Sequence, residues 1–112
     1  MYSKKMRNFY ISYIEGCSSL EEIQFTNKIN WVDKNAFAEC KLINSIDCTM
    51  LEFPRENLHG YDSSFSGVSG SGIVWFNKAL KDDTTHQQQV KDFFDWMRNS
   101  RGLPQGWSYD WR

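Results

Sequence analysis

One segment dictates what the rest of the chain must become. In "DDTTHQQQVKDFFDWMRNSRG", Val90, Phe93, Phe94 and Met97 fall at i, i+3, i+4 and i+7, a single apolar stripe on a helix. The ends are punctuated in the same register. Asp82 and Asp83 suit the positive N-terminus, and Thr84 with Gln87, or Thr85 with Gln88, can form a capping box. Arg98 and Arg101 suit the last turn, and Gly102 followed by Pro104 supplies the stop. A chain of 112 residues with one such helix, from about Thr84 to Ser100, must build the opposing surface from strands. The expectation is a single α+β domain over residues 1–112: an antiparallel sheet of four to six strands packed against one main C-terminal helix.

The strand signals are shorter. "NFYISYI" alternates Phe9, Ile11 and Tyr13 with Tyr10, Ser12 and Ile14, a strand pattern that Gly16 ends. In "SSLEEIQF", Ser18 or Ser19 can cap a short helical turn, while "EIQFTNKINW" also reads as extended. "NAFAECKLI" sets Ala36, Ala38, Cys40 and Leu42 on one side, and "SIDCTMLEF" alternates Ile46, Cys48 and Met50. With Asn44-Ser45 as a tight turn, these two form a hairpin that Pro54 closes. The tail "GWSYDWR" places Trp107, Tyr109 and Trp111 on one side of an extended chain, a face to dock as a closing strand or to anchor another molecule. The chain shows no internal repeat at this level.

"SSFSGVSGSG" raises the question of a phosphate-binding loop. Gly67, Gly70 and Gly72 have the spacing GxxGxG and lead into "IVWF", a β-type run, whereas a dinucleotide loop is GxGxxG opening a helix. The Gly-Lys-Ser/Thr ending of a P-loop is also missing. An exposed flexible loop, or a glycine-kinked strand entry, is the expectation.

Net charge is −1 but unevenly spread. From Asn8 to Asp62, nine carboxylates stand against Lys28, Lys34, Lys41 and Arg55. An acidic body is unsuited to a nucleic-acid backbone and suited to a basic protein. No apolar run approaches a membrane span, and "MYSKKMRNFYISYIEG" lacks the pattern of a secretory signal. Cys17, Cys40 and Cys48, odd in number and without a CxxC, read as reduced thiols in a cytoplasm, with no metal or cofactor expected.

Chemistry has few places to sit. "RENLHGYD" gathers Arg55, Glu56, His59, Tyr61 and Asp62, the types a metal-independent RNA- or nucleotide-processing enzyme needs, and the same types fill ordinary turns. His86 falls in the first turn of the helix. Five tryptophans and five tyrosines exceed what so small a core absorbs easily, and these residues dominate interface hot spots. Stoichiometric binding of a protein is therefore the functional expectation, with no catalytic residue assigned. The candidate contacts are Glu15, Glu21, Glu22, Trp31, Asp33, Tyr61, Asp62, Trp107, Tyr109 and Trp111.

In general character, a single small acidic α+β domain without a catalytic motif, the chain resembles the immunity proteins that bacteria carry beside contact-dependent-inhibition and other polymorphic toxins. That resemblance is of type. It implies a cytoplasmic protein, monomeric when free, that neutralises a cognate toxin such as a basic nuclease, and it assigns no residue. Phage-encoded inhibitors of host defence proteins share the profile, and a structural or assembly component is a third class.

Overall fold

The structure is a computed structural model that describes residues 2–112; Met1, which opens the segment read for a signal, lies outside them. Eight strands and one α-helix follow in the order β1 (Ser3–Met6), β2 (Tyr10–Ile11), β3 (Glu22–Phe25), β4 (Trp31–Val32), β5 (Ser45–Asp47), β6 (His59–Gly60), β7 (Ser71–Phe76), α1 (Thr84–Ser100) and β8 (Gly106–Trp111). Short 3₁₀ turns precede β3 and α1, at Cys17–Ser19 and Lys78–Leu80. The strands form a five-stranded sheet, β1-β3-β5-β7-β8, and a three-stranded sheet, β2-β4-β6. Every pairing is parallel.

The expected antiparallel sheet is therefore wrong. The cause lies in what alternation reports: it places side chains on faces and says nothing about which strand lies alongside. The expected hairpin at Asn44-Ser45 does not form. Asn44 sits in the sheet ladder instead, its N–H donating to Glu21 O at 3.0 Å and its carbonyl accepting from Ile73 N at 3.0 Å.

Because β1 to β7 alternate between the two sheets and each sheet grows in chain order, the chain winds in successive coils stacked on one another. Such stacking buries in each coil an apolar face that one coil alone could not cover. The inward columns of the larger sheet are Ile23-Ile46-Val74 and Met6-Phe25, with Phe76 further along; in the smaller sheet Ile11 and Val32 face in.

Between the second and third coils the correspondence is a repeat of 28 residues. Trp31 pairs with His59 and Ser45 with Ile73, and the turn hydrogen bonds recur at the same step. Ala36 N to Asp33 O is matched by Ser64 N to Tyr61 O, Ala38 N to Asn35 O by Ser66 N to Ser63 O, and Cys40 N to Phe37 O by Val68 N to Phe65 O. "NAFAECKLI" is thus a run of tight turns. It buries Ala36, Phe37, Cys40 and Ile43, a spacing that a two-residue alternation cannot produce, and leaves Leu42 exposed.

The Ser/Gly segment is the next copy of that turn, which corrects its reading as an exposed loop. Phe65 is fully buried and stacks on Phe37 with centroids 5.3 Å apart, and Ser64, also fully buried, donates its hydroxyl to Val32 O at 2.7 Å. Gly67 is required by contact: a Cβ there would lie 1.8 Å from Phe37 O. The glycine lets two coils approach, and phosphate does not enter the account.

The same stacking lays Cys17 over Cys40, Cα atoms 5.0 Å apart, and the two form a disulfide, while Cys48 is a buried free thiol. The expectation of three reduced thiols fails because odd number and spacing do not see which turns lie one above the other.

The helix spans the residues its stripe marks, and Val90, Phe93, Phe94 and Met97 are its buried positions. Its cap is Asp83, whose carboxylate accepts from Thr85 N at 2.9 Å and His86 N at 3.2 Å, in place of the expected Thr84 or Thr85. Gly102, at φ 79°, ends it, with Leu103 N donating back to Met97 O at 3.1 Å. In the final crossover from β7 to β8, α1 packs on the inward side of the larger sheet. There Phe93 meets Phe76 and Phe53 edge-on, and Phe94 meets Tyr109 at 4.9 Å.

Candidate protein-interaction site

The two-residue strands of the smaller sheet sort their side chains by alternation. Ile11 and Val32 point in, with Gly60 in register with Val32, so Tyr10, Trp31 and His59, paired in register, point out. Their rings stack along the solenoid, Tyr10 on Trp31 at 6.0 Å and Trp31 on His59 at 6.3 Å, with interplanar angles of 11° and 17°. Tyr61 stands edge-on to Trp31 at 6.0 Å. Tyr10 and Tyr61 are 45% and 47% exposed and Trp31 between them is half-buried, so the ladder presents a partly wet aromatic surface. Phe9, at 60%, and Tyr13, at 51%, extend the exposed aromatic surface in the first coil.

Carboxylates frame the rings. The Tyr10 hydroxyl donates to Asp33 Oδ2 at 2.6 Å, the Tyr13 hydroxyl to Glu39 Oε2 at 2.9 Å, and Glu56 Oε2 lies 3.4 Å from His59 Nε2. The hydrogen bond to Asp33 raises the Tyr10 hydroxyl above its ordinary value, and that to Glu39 does the same for Tyr13. Gly60, at φ 156°, carries the chain from His59 to Tyr61, and a Cβ there would lie 2.3 Å from Val32 O.

The residues expected as contacts separate into groups. Trp31, Asp33 and Tyr61 come together in the ladder, and exposed Asp62 follows Tyr61. Glu15 is exposed in the turn after Ile14, and Glu21 is half-buried beside β3. Glu22 is buried on the other sheet, accepting from Ser45 at 2.6 Å and Arg112 at 3.0 Å. The tail docks as β8. Trp107 is 2% exposed, donating its indole N–H to Ser69 O at 2.6 Å, and Tyr109 and Trp111 pack half-buried against Phe76. Trp107 thus has no surface to offer a partner.

Tyr10 and His59 are the members that sequence reasoning did not assign to an interface. The signal for them is register between strands 21 and 28 residues apart, which becomes visible once Ile11 and Val32 are recognised as the same inward position.

The grouping expected for an enzyme is pulled apart. The Arg55 guanidinium donates to Ile29 O and to Asn27 Oδ1 and lies 5.8 Å from the Phe93 ring, held to the coil rather than beside His59. Among the described residues His59 has Glu56 alone as an ionic neighbour. Among the described residues no group of three or more His, Cys, Asp and Glu is placed to hold a metal, and no helix is long and apolar enough to cross a membrane. Compared with known protein families, with characterised proteins and with solved structures, the chain matches none.

Proposed function

We propose that this protein is a binding module that captures a basic protein in a stoichiometric complex, using the Tyr10-Trp31-His59 ladder with Tyr61 as its contact surface. The observation that carries this reading is the stacking of exposed Tyr10 and His59 on either side of half-buried Trp31, in register beside Asp33 and Glu56. Aromatic faces and nearby carboxylates select the same partner, one that presents arginine or lysine, through cation–π contact on the rings and charge attraction at the rim. Acidic charge between Asn8 and Asp62 spreads over the coils that carry the ladder, which favours steered encounter.

Neutralisation of a basic toxin in the cytoplasm, the form implied by the resemblance to immunity proteins, is one version of this function. The Cys17–Cys40 disulfide favours a second version, capture in an oxidising compartment, because such bonds persist where glutathione does not reduce them. The test is a panel of purified small basic proteins, nuclease toxin domains among them, measured against the wild-type chain and Trp31→Ala. Loss of the central ring should weaken a true partner by about 2–4 kcal/mol, with an on-rate that falls as salt rises. Losses below about 0.5 kcal/mol for Tyr10→Ala, Trp31→Ala and Tyr61→Ala alike reject the site. Turnover of RNA or nucleotides that disappears in His59→Ala replaces the binding reading with an enzymatic one.

A further inference from the structure

The outward face of the larger sheet holds a second arrangement, independent of the ladder. Arg112, just beyond β8, extends its guanidinium back across β7 to Glu22 Oε2 and Asp47 Oδ2, both at 3.0 Å, with Cζ 4.9 Å from the Trp75 ring. Glu22, Asp47 and Trp75 come from three neighbouring strands, β3, β5 and β7. Two carboxylates and an indole face around one planar cation is the chemistry that distinguishes a guanidinium from an ammonium.

These groups are held in place without Arg112. Ser45 donates its hydroxyl to Glu22 Oε2 at 2.6 Å, and the Trp75 indole N–H donates to Ser45 Oγ at 3.1 Å, so ring and carboxylate are coupled. Thr49 fixes Asp47 through its hydroxyl at 2.6 Å and its backbone N–H at 2.9 Å. The side chains of Glu22 and Asp47 are only 6% and 15% exposed, whereas Arg112 is 39% exposed. The acidic half is thus built into the sheet, and the cationic half is the more exposed side chain. A cavity of 380 Å³ lined in part by Ser45, Ile73, Trp75 and Arg112 opens beside it.

We propose that Glu22, Asp47 and Trp75 form a receptor for an arginine side chain of a partner protein, and that Arg112 is its resident occupant, displaced when the partner's arginine enters. Two nearly buried carboxylates demand a cation, and removing Arg112 leaves that demand unmet. An external guanidinium restores what was lost.

The test follows the Trp75 indole N–H by NMR in the full chain while N-acetyl-arginine amide, or its lysine counterpart, is added. In Arg112→Ala the signal should shift saturably with the arginine compound and require about tenfold more of the lysine compound. The wild-type chain should require at least about tenfold more arginine compound than the variant, because Arg112 competes at a local concentration in the millimolar range. Adding Asp47→Asn to Arg112→Ala should abolish the response. No saturable shift in Arg112→Ala, equal response to both compounds, or equal response of wild type and variant overturns the proposal. Should Arg112→Ala fail to fold, Arg112→Gln is read against the same outcomes. Trp31→Ala should leave this titration unchanged, which separates failure here from failure of the ladder.

Discussion

The two sheets share one winding and treat their outward faces in opposite ways. On the larger sheet the outward side chains Glu22, Ser45, Asp47, Thr49 and Arg112 satisfy one another, and Trp75 is covered by the guanidinium. On the smaller sheet Tyr10, Trp31 and His59 touch mainly other rings, and the indole N–H of Trp31 is buried without a hydrogen-bond partner. Inward positions are fixed by coil stacking in both. The difference shows that stability is supplied from inside the coil, leaving the outside free to carry a polar network occupied by Arg112 in one place and an unoccupied ring surface in another.

That separation can be broken most strongly from within. Phe65→Ala removes a fully buried ring stacked on Phe37, and should cost about 3–5 kcal/mol in urea unfolding. Both faces should fail together, and survival of one without the other would show that the coils are not a shared support.

Arg112→Ala acts on the larger sheet alone. Breaking a buried pair costs about 3–5 kcal/mol, but Arg112 is more than a third exposed, so solvent screening reduces the expected loss to about 1–2 kcal/mol. Its pH dependence sharpens the comparison. Burial by itself would raise the Asp47 carboxyl, yet the Thr49 hydroxyl and N–H together with Arg112 outweigh it and hold the group below its ordinary value. A depressed folded value means the contribution is present above the ordinary aspartate value of about 3.9 and drains away as pH falls through the depressed one. Acid unfolding curves of Asp47→Asn should lack that component, while ladder substitutions should retain it.

The smallest effect belongs to the ladder's edge. Asp33→Asn should bring the ultraviolet titration of Tyr10 down toward the ordinary tyrosine value, since the hydrogen bond to Asp33 is what raises it. A raised folded value stabilises below the ordinary tyrosine value and is lost as pH rises through the raised one. An unchanged titration would show that the frame of carboxylates does not hold the rings.

Local periodicity carried the sequence reading wherever one element decides its own shape. The stripe from Val90 to Met97, the Gly102 stop, the β-type run before Phe76 and the docking tail are of this kind. What failed depends on contacts between coils. Asn35 to Ile43 alternates well enough to imitate a strand, and only the coil above it shows that Phe37, Cys40 and Ile43 are the buried set. The repeat was readable in principle, since Cys17, Leu20 and Ile23 precede Cys40, Ile43 and Ile46 by the same 23 residues, but the step changes to 28 in the next coil. Of the site, Trp31, Asp33 and Tyr61 were legible by type. Their grouping with Tyr10 and His59 was not, because parallel register places residues from three separate passes of the chain side by side.

The smaller sheet stops at three strands because α1 occupies the last crossover from β7 to β8. With parallel neighbours about 4.8 Å apart, three rungs measure only about 10 Å from first to last. That is a short ruler. It can gauge about three residues of an extended segment or two turns of a helix, so discrimination between rival ligands falls to the charged margin rather than to the length of the stack.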